Sequence, residues 1–195
     1  MTFFSRYART AALLISCFFV WACENDIKDV NNFTKRQTGV EEATDVTSFM
    51  SQEGIIKAKL RAPFMLRHQA DTRNQADTPY VEFPRSVHVD FFDDSTKVKS
   101  TVDALYARYK EAENKVLLRD SVVVINLEKG DTLRTSELWW DQEKEQFYTD
   151  KPVRIYQIDK TIFGKGLKAA QDFSNYEIFN ITGTVLTTGN QLDSL

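Results

Sequence analysis

A pattern of about thirty residues recurs, imperfectly, between Gly54 and Gly189, and it limits what this chain can fold into. One copy runs from Leu105-Tyr106-Ala107-Arg108-Tyr109, through a charged turn, to Ser121-Val122-Val123-Val124. A second runs from Leu138-Trp139-Trp140-Asp141, through Phe147-Tyr148-Thr149-Asp150, to Pro152-Val153-Arg154-Ile155. A third runs from Leu167-Lys168-Ala169-Ala170, through Asp172-Phe173, to Tyr176-Glu177-Ile178. A looser copy comes first, from Ile56-Lys57-Ala58-Lys59-Leu60 to Val87-His88-Val89-Asp90-Phe91. Each copy reads as a pair of short strands. A strand pair cannot bury its apolar face alone, whereas stacked pairs can. The repeat predicts one long β-structure with a continuous apolar face.

The strand assignment rests on alternation, because successive side chains of a strand point to opposite faces. In Ile56-Lys57-Ala58-Lys59-Leu60-Arg61-Ala62 the apolar residues fall on one face and the cations on the other. The same alternation puts Ile56, Ala58, Leu60, Val87, Val89, Val122, Val124, Val153 and Ile155 on one interior face. Phe83, Phe91, Tyr109, Trp140, Phe147 and Phe173 fall on or beside it. These segments are short and rich in β-branched and aromatic residues, which suit a pleated surface. One competitor remains at Thr101–Ala112, where Ala104, Leu105, Arg108 and Glu111 also suit an amphipathic helix. Turn residues punctuate the runs at Asp93-Asp94-Ser95, Lys129-Gly130-Asp131, Asp141-Gln142-Glu143, Gly164-Lys165-Gly166 and Thr188-Gly189-Asn190. Gly164 and Gly166 are expected to be backbone requirements of a turn between strands. Many short strands at this spacing predict an all-β antiparallel sandwich, jelly roll or stacked β-array.

The amino terminus is of another kind. Arg6 and Arg9 precede an apolar run from Ala11 to Ala22, too short for a spanning helix and suited to a signal h-region. The run ends at Ala22-Cys23, and polar Glu24-Asn25-Asp26 follow at once. Val20 and Ala22 ahead of Cys23 resemble a bacterial lipobox, with the bulky Trp21 as its imperfection. Two readings stand: residues 1–22 form a cleaved signal peptide and Cys23 is the lipid anchor, or the segment stays as an uncleaved signal anchor. Both tie the chain to a membrane, outside the cytoplasm. A chain beginning at Cys23 has no second cysteine and no disulfide, so its stability rests on the core. Residues 23–44 read as a polar tether with a first strand beginning near Val46, residues 45–190 as the β-domain, and 191–195 as a short tail.

Removing residues 1–22 takes away Arg6 and Arg9 and no acid, and shifts the formal charge from −3 to −5. That acidity excludes nucleic acid as the expected partner. Lys57, Lys59 and Arg61, with Arg67 nearby, form the one candidate anion site, against a plain solvated strand face.

Catalysis has little to build on. The two histidines are His68, in a polar loop running from Arg67 to Thr78, and His88, on the outward side of its strand. A metal site converges several ligands on one interior, which this pair does not do. No G-x-S-x-G elbow, phosphate loop or dinucleotide fingerprint occurs. Acids such as Glu143 and Glu145 fall in turns rather than facing each other across a cleft. The sequence reads as a binding or carrier protein, not an enzyme, and calls for no catalytic residue, metal or cofactor.

Residues 45 to 190 resemble the LptC family, the periplasmic component of the lipopolysaccharide-export ABC transporter, in its Bacteroidetes-like form. The resemblance is carried by Ser51-Gln52-Glu53-Gly54 leading to Leu60-Arg61-Ala62-Pro63, by Tyr80-Val81-Glu82-Phe83-Pro84 with Val87 and Val89, and by Ala104-Leu105-Tyr106-Ala107. It continues through Lys129-Gly130-Asp131-Thr132-Leu133, Glu137-Leu138-Trp139-Trp140-Asp141, Tyr148-Thr149-Asp150-Lys151-Pro152-Val153, and Gly164-Lys165-Gly166-Leu167 with Asp172-Phe173. The better-known members begin with a transmembrane helix, which is where this chain departs.

The resemblance implies a twisted β-jelly-roll, like those of the OstA, LptA and LptC proteins, with an apolar trough shielding lipopolysaccharide acyl chains. The lining it implies is the interior face named above, with Phe83, Phe91, Leu105, Tyr109, Leu138, Trp140, Phe147, Leu167 and Phe173. It implies as partners lipopolysaccharide, the permease subunits of an inner-membrane ABC transporter, and an LptA-like bridge protein reached across an edge at Ile178, Ile181 and Val185. The competing expectations are an envelope lipoprotein with a glycan-binding or scaffolding β-domain and, disfavoured by the histidine count, a jelly-roll hydrolase.

Overall fold

The computed structural model describes residues 40–69 and 78–186. The signal segment, Cys23, most of the tether, residues 70–77 and the tail lie outside the described residues. Eleven strands follow in chain order: β1 (Val40–Gln52), β2 (Ile55–His68), β3 (Tyr80–Phe83), β4 (Val87–Phe92), β5 (Val98–Ala104), β6 (Tyr106–Lys110), β7 (Lys115–Asn126), β8 (Thr132–Asp141), β9 (Gln146–Tyr156), β10 (Lys160–Ala170) and β11 (Tyr176–Leu186). The Thr101–Ala112 ambiguity resolves as strands β5 and β6, with a single 3₁₀ turn at Glu111–Glu113. β1 begins at Val40, inside the stretch read as tether, because its polar residues are carried by pairing with β2 rather than by burial. His68 is the last residue of β2 rather than part of a loop, and its ring stacks on Tyr80 with centroids 4.2 Å apart.

All pairings are antiparallel, and they fold one sheet over on itself. The first half of β2 pairs with β4, as in Ala58↔Phe91 and Arg61↔His88. Its end pairs instead with β3, as in Leu66↔Glu82 and His68↔Tyr80. β4 continues to β5 and β3 to β6, and both routes meet again on β7. β6 takes Lys115–Arg119 of β7, and β5 takes Val123–Asn126. The long strands β7 to β11 then run through both layers. This is an all-β jelly-roll, one of the antiparallel arrangements the strand spacing left open and the one the resemblance implies: two facing layers sharing bent strands.

The bends lie along one line, and the backbone marks them. On β7, Asp120 and Ser121 both take left-handed φ values, 63° and 57°, where the register shifts between Arg119 and Val122. Asp45 on β1 does the same at φ 52°. Short polar residues tolerate this conformation better than apolar ones, and a bulge built on them re-aims a strand. Between β3 and β4 the bend is the turn at Pro84-Arg85-Ser86, and between β5 and β6 it is Leu105 alone. On β10 it is carried by Gly164 and Gly166, which lie inside the strand and not in a turn as expected. Opposite the bends, two rims of hairpin turns face each other. The β4/β5 layer ends in the β1–β2, β4–β5, β7–β8 and β9–β10 turns, and the β3/β6 layer in the β6–β7, β8–β9 and β10–β11 turns.

The core fills the space between the layers. Ala58, Phe83, Val87, Val89, Phe91, Val122, Val124, Leu138, Trp140, Phe147, Val153, Ile155, Leu167 and Phe173 are all buried there. Leu60 and Tyr109 pack against it and are partly buried. Two expected interior residues do not belong to it. Ile56 is 40 % exposed, because it lies beyond the last β2–β4 pair at the rim. Leu105 is 58 % exposed, because it occupies the outside of the bend between β5 and β6, held by its N–H on the Asp120 carbonyl at 3.0 Å.

Candidate functional site

The two layers meet through aromatic rings. Phe91, from β4, stands edge-on to Trp140 of β8 with centroids 4.9 Å apart, and edge-on to Phe147 of β9 at 5.6 Å. Around this centre the interior is continuous and apolar, and at both ends it is bordered by apolar side chains that are only partly buried. Met50, Leu60 and Met65 are partly buried at the β1–β2 end, and Ile162, Tyr176 and Ile178 at the β10–β11 end. Alternation on the long strands produces this arrangement, since each strand turns every second side chain toward the opposite layer.

The two end strands differ in character. Among the described residues, β1 pairs only with β2 and β11 only with β10. β1 presents polar, exposed Glu41, Glu42, Thr44, Asp45, Thr47 and Ser48, with Phe49 as its one exposed large apolar residue. β11 presents Phe179, Ile181, Val185 and Leu186, each more than half exposed. Of the expected partner edge, Ile181 and Val185 are exposed, while Ile178 packs partly into the core. Gly164 and Gly166 seat this strand. A Cβ on Gly164 would overlap Ile178 Cγ2 and stand 2.9 Å from the Asn180 carbonyl oxygen. Gly166 has φ +78°, and a Cβ there would stand 2.9 Å from Phe179 Cδ2. Only glycine lets β11 lie this close.

Sequence reasoning missed a polar network that ties the rims together. Asn126 Nδ2, on the rim of β7, donates to the carbonyls of Asp172 at 3.3 Å and Phe173 at 3.1 Å. Ser100 Oγ donates to the Gln171 carbonyl at 3.3 Å, and Trp140 Nε1 to Gln171 Oε1 at 3.1 Å. Tyr176 donates its hydroxyl to Asp131 Oδ2 at 3.1 Å, and Gln157 Nε2 donates to that oxygen at 3.0 Å and to the Tyr176 hydroxyl at 2.9 Å. Burial, then the Asp131 carboxylate, push the Tyr176 hydroxyl up to about 12. One signal for Asn126 was present: it continues the inward alternation of Val122 and Val124, where an apolar residue is expected.

The outer faces are neutralised locally. Lys57 pairs with Asp94 at 2.6 Å and Arg61 with Asp90 at 3.0 Å, while Lys59 lies over the Phe49 ring at 5.6 Å. The basic strand face is therefore met by acids of β4 and the turn that follows it. His88 lies between Asp103 at 2.6 Å and Asp90 at 3.0 Å. Burial works to lower its pKa, but the two carboxylates outweigh it and hold it above the ordinary value. On the other layer Glu82 accepts hydrogen bonds from Tyr106, Arg108 at 3.4 Å and His68 at 3.2 Å. Burial works to raise the Glu82 pKa, but these donors hold it below the usual carboxylate range. Among the described residues no group of three or more His, Cys, Asp or Glu side chains gathers as a metal site. None forms a helix long and apolar enough to cross a membrane.

No curated protein matches the chain. Residues 9–186 match the family model described as lipopolysaccharide-assembly, LptC-related, which spans most of the chain and every strand of the jelly-roll. A family of that role in lipopolysaccharide transport, an all-β fold and an apolar interior between two layers agree with one another, and the chain belongs to the LptC family.

Proposed function

We propose that this protein binds the acyl chains of lipopolysaccharide between its two layers and relays the lipid from an inner-membrane ABC transporter to a periplasmic bridge protein. The observation that carries the reading is the continuous apolar interior, bordered at its β1–β2 and β10–β11 ends by apolar side chains that are only partly buried. Each buried methylene is worth about 0.8 kcal/mol, so a chain of about fourteen carbons gains up to about 11 kcal/mol relative to water. Such a lipid leaves slowly for water but readily for an equivalent interior, where the gain is the same. Direction then comes from nucleotide hydrolysis in the transporter, and the carrier itself needs no catalytic group.

The exposed edge of β11 supports the second half of the relay. An unpaired edge offers N–H and C=O groups to a further strand, and apolar Ile181 and Val185 add contact area. At the other end of the chain, cleavage after residue 22 and acylation of Cys23 would hold the domain at a membrane. Photo-crosslinking in cells tests the reading. A photoreactive residue at Phe147 or Ile162 should form lipopolysaccharide adducts, whereas one at outward Arg134 should not. Equal labelling at all three positions would refute an interior site.

A further inference from the structure

Most hairpin turns of the rims are exposed at their tips, as at Asp94 and Ser95, Glu128 and Lys129, and Glu143 and Lys144. The β10–β11 connection, Gln171 to Asn175, is built otherwise. At its centre Phe173 is fully buried, at 0 % exposure, and takes φ 53°. A bulky residue in the left-handed region is strained, and strain persists only where surroundings enforce it. Here the opposite rim supplies most of the enforcement, while on its own rim the Gln171 N–H donates to the Glu145 carbonyl at 2.9 Å. Asn126 Nδ2 donates to the Asp172 and Phe173 carbonyls, Ser100 Oγ to the Gln171 carbonyl and Lys129 Nζ to the Ser174 carbonyl. Lys99 Nζ stands 3.9 Å from the Asp172 carboxylate. The Phe173 ring stacks on Tyr176 with centroids 4.9 Å apart, within the apolar cluster that contains Phe91, Trp140 and Phe147.

We infer that this connection is a plug: Phe173 holds interior volume that an acyl chain takes when lipid is bound, Asn126 is its latch, and lipid enters sideways between the rims. The inference rests on the proposed carriage of lipid. Three features carry it. The latch grips backbone oxygens of a segment that lies outside both strands, since β10 ends at Ala170 and β11 begins at Tyr176, so release breaks no strand pairing. Asn126 is a polar side chain at an inward position, where burial is costly unless every polar atom is satisfied. Its Oδ1 accepts from the Glu128 and Lys129 amides at 2.9 and 2.7 Å, and its Nδ2 is satisfied by the plug. Finally, lifting the connection deprives Lys99 and Lys129 of their partners at the mouth. That leaves two cations beside an apolar opening, which suits an acylated lipid with an anionic headgroup. Chains would enter the interior while the headgroup stays at the rim.

The clean variant is Asn126→Asp. It keeps the oxygen that the Glu128 and Lys129 amides need, and replaces the donor with an acceptor facing two carbonyl oxygens. Amide hydrogen exchange over residues 171–175 and stopped-flow association of fluorescently labelled lipopolysaccharide are measured on the full chain. Exchange should accelerate, and association should become about tenfold faster, the factor expected when opening no longer breaks the net worth of a charge-free hydrogen bond pair. Phe173→Ala, which leaves the latch intact, should also speed association and guards against a folding defect in the first variant. Faster exchange with unchanged association in both variants would overturn the plug while leaving lipid carriage standing. Unchanged exchange in Asn126→Asp would overturn the latch. If neither the unmodified chain nor either variant associates with the lipid, carriage falls and the plug with it.

Discussion

The ring of Phe91 meets the indole of Trp140 edge-to-face at 4.9 Å, although the two residues reach that point from opposite layers of the roll. Each is nearly fully buried, so the contact is both a packing centre and a tie between layers. Edge-to-face geometry adds about 0.5–1.5 kcal/mol beyond the area buried.

Truncating either ring should therefore be costly. Phe91→Ala and Trp140→Ala are each expected to lower unfolding free energy by about 3–5 kcal/mol. Because the residues touch, their double variant should lose less than the two single losses combined. Urea unfolding of the three variants gives the answer, and strict additivity would show that the rings do not cooperate.

The glycines of β10 make a graded test. Gly166→Val should cost at least about 1–2 kcal/mol from its left-handed φ alone, with the Phe179 contact added. Gly164→Val should displace β11, since Ile178 and the Asn180 carbonyl occupy the space. Gly183→Ala on β11 meets nothing within 4 Å and should be mild. Thermal unfolding orders the three, and a silent Gly164→Val would remove the close-approach account.

His88 should give the protein a pH-dependent increment of stability. Its folded pKa lies above the unfolded value, so protonation favours the folded state. The increment is complete below about pH 6.5, the unfolded value, and is lost as pH rises through the folded one. His88→Gln or Asp103→Asn should flatten the rise in urea midpoint between about pH 8 and pH 6. A slope that survives both substitutions would assign the effect to another group.

The outer edge of β11 can be probed without damaging the roll. Removing the strand altogether would also strip Tyr176 and Ile178 from the core. Ile181→Lys and Val185→Lys instead place charge on exposed positions, as natural edge strands do to prevent pairing. Both variants should unfold within about 0.5 kcal/mol of the unmodified chain, retain transporter association and lose capture of the bridge protein. Undiminished capture would move the junction to the β1 end.

Much of this fold was legible in alternation. Val122, Val124, Val153 and Ile155 point inward by alternation, and they are buried at 4 % exposure or less. The repeats correspond to strand pairs within the roll. What escaped were features set by the bends and the rims. Leu105 fits an apolar pattern, but a single residue that turns the chain between layers cannot face the interior. Gly164-Lys165-Gly166 has the composition of a turn, yet the same freedom served a bend inside a strand. Val40 to Thr44 carries no apolar periodicity, because an edge strand paired on one side needs none. Asn126 broke the inward alternation of β7, and its purpose became visible only with the opposite rim in place.

The bend in β11 has a consequence for assembly. Residues on one side of Thr182 pair with β10 in the β3/β6 layer, as in Leu167↔Ile178, and those on the other side pair in the β4/β5 layer, as in Ile162↔Thr184. One edge, paired with no further strand among the described residues, therefore belongs to both walls of the interior. A strand added along its whole length would extend both walls together, in one register, and bring its own interior into line with this one. Alignment of the two interiors would then require no separate recognition between them; it would be inherited from the pairing of one strand.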